Sequence, residues 1–232
     1  MFNPELDPAL LHRTYANGEP FPHLVVDNFL VPETADRIAT ELETADISEW
    51  FIDEHPEQMA KRWMDDLSRL PPTVAEALTY FNSSPALEFF AALTGIPGLI
   101  ADWSYLGGGV HVTERGGRLG VHADFNLHPN SGLHRRVNAL LYLNRQWDPD
   151  WRGQLELWPQ DLSGAERVIE PTHNRLAVFS ITDTAFHGVP ERVICPPDRR
   201  RLSLALYYYT RERPEEEKAP FHWAAWQRPK VQ

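Results

Sequence analysis

The second half of the chain contains a succession of short, β-rich segments, and this feature restricts the possible folds more than any other. Clusters of Gly, Pro, Asn and Asp separate the segments, and no helical pattern lies between them. They cover residues 110–112, 137–143, 154–158, 167–170, 176–181, 192–194 and 202–210. Many short strands at near-regular spacing are typical of a sandwich or a barrel. We therefore predict a jelly-roll core.

The first 95 residues have a mainly helical pattern. After a short predicted strand within 23–30, a helix is expected to begin near Pro32, because proline and acidic side chains favour the first helical turn. Two further helices are expected over 71–81 and 86–93. The sequence thus predicts one α+β, mainly β domain: a double-stranded β-helix (jelly roll) with N-terminal helices packed on one side. Its predicted parts are a mainly helical support region (1–95), the jelly-roll core (96–212) and a C-terminal tail (213–232).

Charge and cysteine content exclude several classes of protein. The chain has 33 acidic and 22 basic residues, a net charge of −11, which argues against nucleic acid or an anionic membrane as partner. Cys195 is the only cysteine, so the chain has no internal disulfide and no multi-cysteine metal site. The N-terminus lacks a signal-peptide pattern. We expect a cytoplasmic protein with a small-molecule substrate; the oligomeric state stays open, a homodimer included.

Three residues have the types and spacing of a metal site. His122 and Asp124 are two positions apart in a predicted strand, so both side chains point to one face. His187 follows another predicted strand, and a jelly roll can bring it beside them. Although a His-x-Asp pair alone is a weak signal, two histidines and one carboxylate on a β scaffold are typical of non-haem Fe(II) oxygenases.

A second pair of residues suits an acidic cosubstrate. Arg201 and Ser203 are also two positions apart, on the predicted strand 202–210 and its edge. An arginine fork pairs bidentately with a carboxylate. Such an arrangement suits 2-oxoglutarate, because one end of this acid chelates iron and the other end must be held by a fixed cation.

The chain resembles the prolyl 4-hydroxylase-like branch of the Fe(II)/2-oxoglutarate-dependent dioxygenases. The resemblance covers most of the chain and rests on five blocks in order: LGVHADF, VNALLYLN, GQLELW, LAVFSITDTAFHGV and RRRLSLALYYY. It implies that His122, Asp124 and His187 bind Fe(II). It also implies that Arg201 binds the distal carboxylate of 2-oxoglutarate.

Further cosubstrate contacts follow from the same resemblance. It implies that Tyr142 contacts the distal carboxylate, together with Ser203, and that Asn138 occupies another cosubstrate-facing position. The family often has a tyrosine about ten residues before the first iron ligand, and this chain departs from that pattern. Its sequence there is VHVTERGG, so either His111 or Thr113 is expected to take the place of the tyrosine.

The resemblance implies a dioxygenase that uses Fe(II), 2-oxoglutarate and O2, with ascorbate as a candidate stimulant. Hydroxylation of an unactivated C–H bond is favoured, because related halogenases have a small residue where this chain has Asp124. Desaturation and ring formation remain alternatives. A different class of function, a catalytically inactive jelly-roll binding or sensor protein, predicts missing ligands, and none is missing.

The segment NLHPNSGLHRR, residues 126–136, is locally basic in an acidic chain. We predict a loop there that borders the active-site mouth, since it follows the strand of His122. In this hypothesis Arg135 or Arg136 binds an anionic group of a small metabolite, such as an amino acid or a sugar derivative. A solvated loop and a peptidyl-prolyl substrate are the alternatives.

Overall fold

The computed structural model describes residues 1–52 and 55–228, which contain four α-helices and twelve β-strands. The helices are α1 (Pro8–Ala16), α2 (Pro32–Thr44), α3 (Pro72–Phe81) and α4 (Ser84–Thr94). The strands are β1 (His23–Val26), β2 (Phe51–Ile52), β3 (Gln58–Met64), β4 (Ile100–Ala101), β5 (Gly109–Ala123), β6 (His134–Tyr142), β7 (Leu155–Trp158), β8 (Arg167–Ile169), β9 (Arg175–Ser180), β10 (Phe186–Val189), β11 (Arg201–Thr210) and β12 (Ala225–Trp226).

The strands pair antiparallel into a curled, nearly closed sheet. Its order is β1-β9-β6-β11-β5-β10-β7-β8, while β3, β4 and β12 pair with β5 or β11 at its sides and β2 pairs with β3. Neighbours in the sheet are seldom neighbours in the chain, as a jelly roll requires. The predicted jelly-roll architecture is confirmed.

Strand β5 connects the two sides of the barrel. Its first half, Gly109 to Thr113, pairs with β11 on one edge and β3 on the other. Its second half pairs with β10 and β12. Gly116, at φ +89°, lies between the halves in a conformation that side-chain-bearing residues rarely adopt. One strand therefore carries residues of both walls of the central cavity.

The helices pack on one side of the barrel, as predicted. The face of α2 toward the core is fully buried at Ala35 and, three and four positions later, at Ile38 and Ala39. Phe81 of α3 and Phe90 of α4 meet Tyr208 of β11 in the same core, with the Phe90 and Tyr208 ring centres 4.8 Å apart. No helix within the described residues is long and apolar enough to cross a membrane.

The structure differs from the sequence prediction in three segments. Strand β3 lies in the region expected to be helical. Its sequence shows no apolar alternation, since Lys61 and Trp63 line the cavity and all of its residues but Met64 are half-buried. The predicted strand at 192–194 is wrong; the strand in this part of the chain is β10. The tail forms β12, which pairs with β5 at His122 and Ala123. Residues 229–232 of the predicted tail lie outside the described residues.

Candidate metal centre

His122, Asp124 and His187 meet at one buried point. His122 and His187 are directly opposite each other in the β5–β10 pair, and their ring centres are 4.5 Å apart. Asp124 follows the end of β5 on the same face as His122. One potential ligand atom from each residue lies within 4.8 Å of the others. Among the described residues, this is the one group of three or more His, Cys, Asp or Glu side chains with that geometry.

The two imidazole rings are oriented for metal binding by backbone carbonyls. His122 donates from Nδ1 to the Gly120 carbonyl at 2.9 Å, and His187 donates from Nδ1 to the Ala185 carbonyl at 3.0 Å. The Nε2 atoms of both rings point at Asp124, at 3.4 and 3.3 Å. Metal-binding histidines are commonly held in this way. Burial, with the neighbouring His187, lowers the pKa of His122, so that ring is neutral at pH 7, the form that binds metal.

The Asp124 carboxylate is held by two side chains of β6. Asn138 donates from Nδ2 to Asp124 Oδ2 at 2.7 Å, and Arg135 Nη2 lies 3.0 Å from the same oxygen. Burial alone would raise the pKa of Asp124, but the charge of Arg135 and the two histidines lower it well below its usual range. The carboxylate is therefore ionised. This set of two imidazoles and one carboxylate suits Fe(II).

A polar subsite lies deeper in the same barrel, around Arg201 at the start of β11. Arg201 donates from Nε to the Gly153 carbonyl at 2.6 Å. Tyr142 of β6 lies beside it, with the guanidinium carbon 5.0 Å from the ring centre. The Tyr142 hydroxyl is buried and has no hydrogen-bond partner among the described residues. Such an orphaned donor beside an arginine fits a bound carboxylate.

Strand register places both sequence candidates for a cosubstrate contact on β5, Thr113 and His111, in the lining of the same cavity. Thr113 of β5 is opposite Arg201, and Lys61 of β3 is opposite Thr113. His111 is opposite Ser203, and its Nε2 lies 3.0 Å from the Gly107 carbonyl. Arg201, Thr113 and Lys61 thus lie opposite one another on three neighbouring strands, β11, β5 and β3. Sequence reasoning missed Lys61 because it missed β3.

One cavity of about 330 Å³ connects the metal cluster to the Arg201 subsite. Asn138, Ser203 and Thr113 line it together with both groups, whereas Tyr142 lies behind its surface. Four aromatic side chains form part of the lining: Trp63, Phe125, Tyr207 and Trp226. The Trp226 ring, from β12, lies 5.0 Å from the His122 ring and so covers one side of the cluster.

Arg135 and Arg136 do not have the exposed loop positions expected from the sequence. Strand β6 begins at His134, so both are strand residues. Arg135 is 1% exposed and is paired with Asp124. Arg136 lines a separate cavity and pairs with Glu217 at 3.5 Å, so it does not border the metal cluster.

Arg118 lines the cavity at a position the sequence analysis overlooked. It lies on β5, an even number of positions before His122 and Asp124. Because side chains at even separations in a strand share a face, this spacing could have indicated that Arg118 faces the metal cluster. Nη2 pairs with Glu57 at 3.0 Å, whereas the buried Nε has no hydrogen-bond partner among the described residues. A cavity-lining arginine with an unpartnered buried donor suits an anionic ligand.

Residues 108–209 match the family model of the 2OG-Fe(II) oxygenase superfamily. Among curated proteins, the mouse (Mus musculus) prolyl 3-hydroxylase OGFOD1 is 32% identical over 79 residues, which is 32% of this chain. The matched stretch covers 14% of that relative's length. The proteins of this superfamily use Fe(II) and 2-oxoglutarate.

The fold is similar to several solved structures. A prolyl-4-hydroxylase from Pseudomonas putida aligns over 88% of this chain and 99% of its own, with a TM-score of 0.59 and 21% identity. A Trichoplax adhaerens prolyl hydroxylase in complex with a peptide fragment aligns over 87% and 88%, with a TM-score of 0.59 and 19% identity. HygX from Streptomyces hygroscopicus, bound to nickel, 2-oxoglutarate and hygromycin B, aligns over 88% and 92%, with a TM-score of 0.54 and 14% identity.

Proposed function

We propose that the chain is a 2OG-Fe(II) oxygenase similar to the prolyl 4-hydroxylases, and that it hydroxylates an unactivated C–H bond of a small anionic metabolite. In this proposal His122, Asp124 and His187 hold Fe(II). The observation that carries it is the convergence of these three side chains in the cavity that also contains Arg201. An amino acid or a sugar derivative is the proposed substrate class.

The residues of the cavity have separate roles in this reaction. When bound, iron and 2-oxoglutarate supply the activation of O2 and the oxidising power for C–H cleavage. Arg201, Ser203 and Thr113 bind the distal carboxylate of the cosubstrate, and Tyr142 donates its unpartnered hydroxyl to the same group. The aromatic wall keeps water away from the metal, so oxidation is directed to the substrate.

Charge in the cavity supports an anionic substrate. Four cations, Lys61, Arg118, Arg135 and Arg201, and one acid, Asp124, are among the described residues that line it. This is a reversal of sign in a chain of net charge −11. Arg201 is engaged by the cosubstrate, and Arg135 is paired with the metal-cluster residue Asp124. We assign the anion of the substrate to Arg118, because its buried Nε has no partner among the described residues even though Nη2 pairs with Glu57. This replaces the sequence-based assignment to Arg135 or Arg136.

A prolyl peptide is the second candidate substrate. Two aromatic side chains of the C-terminal segment, Phe221 and Trp223, are 44% and 60% exposed, and their ring centres are 5.2 Å apart. The Trp223 ring is also 6.2 Å from Phe125 of the cavity wall. These exposed aromatic rings at the cavity wall suit the ring of a proline in an extended peptide.

Anaerobically purified protein loaded with Fe(II) tests the function. With 2-oxoglutarate and O2 we expect succinate formation that stops when iron is omitted, and a pool of anionic metabolites should contain a compound that gains 16 mass units (one oxygen, about 16 Da). Proline-containing peptides form the parallel arm. Wild-type protein that forms no succinate under any of these conditions would refute the proposal.

Arg118→Gln tests the substrate assignment. We expect a raised KM for the metabolite, with unchanged 2-oxoglutarate consumption in its absence. Arg136→Gln is the matched control, since Arg136 lies outside the cavity, and its KM should equal that of the wild type. A neutral substrate, or equal KM values for the Arg118 variant and the wild type, contradicts the assignment.

A further inference from the structure

Arg135 is fixed in the cavity wall by more than its ion pair. Its guanidinium carbon lies 3.5 Å from the centre of the Tyr207 ring and 4.4 Å from that of Phe125. Nε and Nη2 also donate to Asn138 Oδ1, at 3.1 and 2.9 Å. None of these contacts involves Asp124. The positive charge therefore stays where it is when a metal ion takes up the Asp124 carboxylate.

Asn138 orients the Asp124 carboxylate, whereas Arg135 balances its negative charge. Asn138 donates one hydrogen bond to Asp124 Oδ2 and is uncharged. Arg135 contributes a full charge, because guanidinium does not lose its proton in proteins. Replacing one residue or the other thus separates the two effects on the metal site.

Resting on the iron site proposed above, we infer that Arg135 is a built-in opposing charge that weakens the hold of this site on divalent metal and favours ferrous over ferric iron. Asn138, in contrast, is a positioning residue that strengthens metal binding by orienting Asp124. The two neighbours of one carboxylate thus act on metal affinity with opposite signs.

The effect of Arg135 on the metal is electrostatic. Arg135 is 1% exposed, so water and salt screen its charge poorly. It repels any cation bound to Asp124. It also stabilises the metal-free carboxylate, so a metal ion must compete with Arg135 for Asp124. Both effects oppose metal binding. The repulsion is larger for Fe(III) than for Fe(II), so in the couple Fe(III) + e⁻ ⇌ Fe(II) it favours the reduced form.

Competition with a chromophoric chelator measures the Kd for Co(II). Arg135→Gln should bind Co(II) at least about tenfold more tightly than the wild type. Arg135→Lys keeps the charge and should remain near the wild-type value. Asn138→Ala should bind Co(II) more weakly, because the orientation of Asp124 is lost while the charge of Arg135 remains, held between the rings of Tyr207 and Phe125. With iron, the midpoint potential against a redox mediator should fall in Arg135→Gln and stay unchanged in Arg135→Lys.

Unchanged or weaker Co(II) binding by Arg135→Gln, in protein with cooperative unfolding and a wild-type circular dichroism spectrum, overturns the inference. If that variant does not fold, Arg135→Met, which keeps the apolar stem, carries the same expectation. Failure of the iron site itself gives a different result. In that case wild-type protein would bind Co(II) no more tightly than His122→Ala does.

Discussion

Replacing Tyr142 by phenylalanine is expected to stabilise the ligand-free protein and to weaken its binding of 2-oxoglutarate. The Tyr142 side chain is fully buried, and its hydroxyl has no hydrogen-bond partner among the described residues. A buried polar group without a partner costs about 1–3 kcal/mol. Tyr142→Phe removes this group and keeps the ring, so the free energy of unfolding of the metal-free protein should rise by about 1–2 kcal/mol. For a chain of this size, Tm should rise by about 2–8 °C.

The effect on the cosubstrate has the opposite sign. A hydrogen bond from the hydroxyl to a charged carboxylate contributes about 1.5–3 kcal/mol. Its loss should raise the Kd of 2-oxoglutarate about 10- to 150-fold. Calorimetric titration of the Ni(II)-loaded protein without O2 measures this Kd, and thermal unfolding of the metal-free protein measures Tm.

Tyr208→Phe is the matched control. Tyr208 is equally buried and is not among the cavity-lining residues, but its hydroxyl donates to the Phe81 carbonyl at 3.0 Å. Its loss should lower the stability by about 1 kcal/mol and leave the Kd unchanged. If Tyr142→Phe instead destabilises the protein and binds 2-oxoglutarate like the wild type, the hydroxyl does not serve the cosubstrate, and the reasoning fails.

Three further outcomes are expected. His122→Ala, Asp124→Ala and His187→Ala should each abolish turnover and the binding of one Co(II) per chain; full turnover by any of them contradicts the iron site. Arg201→Ala should raise the KM for 2-oxoglutarate by about 30-fold or more, with metal binding kept; an unchanged KM would show that another cation binds the distal carboxylate. Because the pKa of Asp124 lies below its ordinary value of 3.8 in the folded protein, its pair with Arg135 stabilises the metal-free protein at neutral pH and loses this contribution in acid. The stability difference between wild type and Arg135→Gln, from urea unfolding, should therefore shrink as the pH falls below 3.8; a constant difference contradicts this.

The sequence predicted the parts of the fold that have a regular pattern. The apolar face of α2 and the alternation on β11 follow from periodicity, and both elements lie where they were expected. The His-x-Asp spacing also indicated a shared face, since side chains two apart in a strand point the same way. Strand β3 was not predictable in this way, because all of its residues but Met64 are half-buried and its sequence, QMAKRWM, shows no apolar alternation.

The environment of the arginines was beyond the reach of sequence patterns. In the chain, Arg135 and Arg136 stand side by side in a basic segment. A bulge between Tyr208 and Tyr209 of the neighbouring strand shifts the register, and the two arginines enter different cavities. The pairing of Arg135 with Asp124 depends on the contact between two strands. Local charge density alone could not reveal it.

The pairing of β12 with β5 has a consequence for the order of events on the ribosome. Ala225 pairs with Ala123 and Trp226 with His122, so about one hundred residues of synthesis separate the two edges. Asn126 also binds this segment, donating to the Pro220 carbonyl at 2.9 Å. His122 and Asp124 are synthesised about one hundred residues, and His187 about forty residues, before the tryptophan that covers the cluster. Iron acquisition by this chain is therefore expected to begin through an open flank, with the arriving segment closing over a centre whose ligands are already assembled.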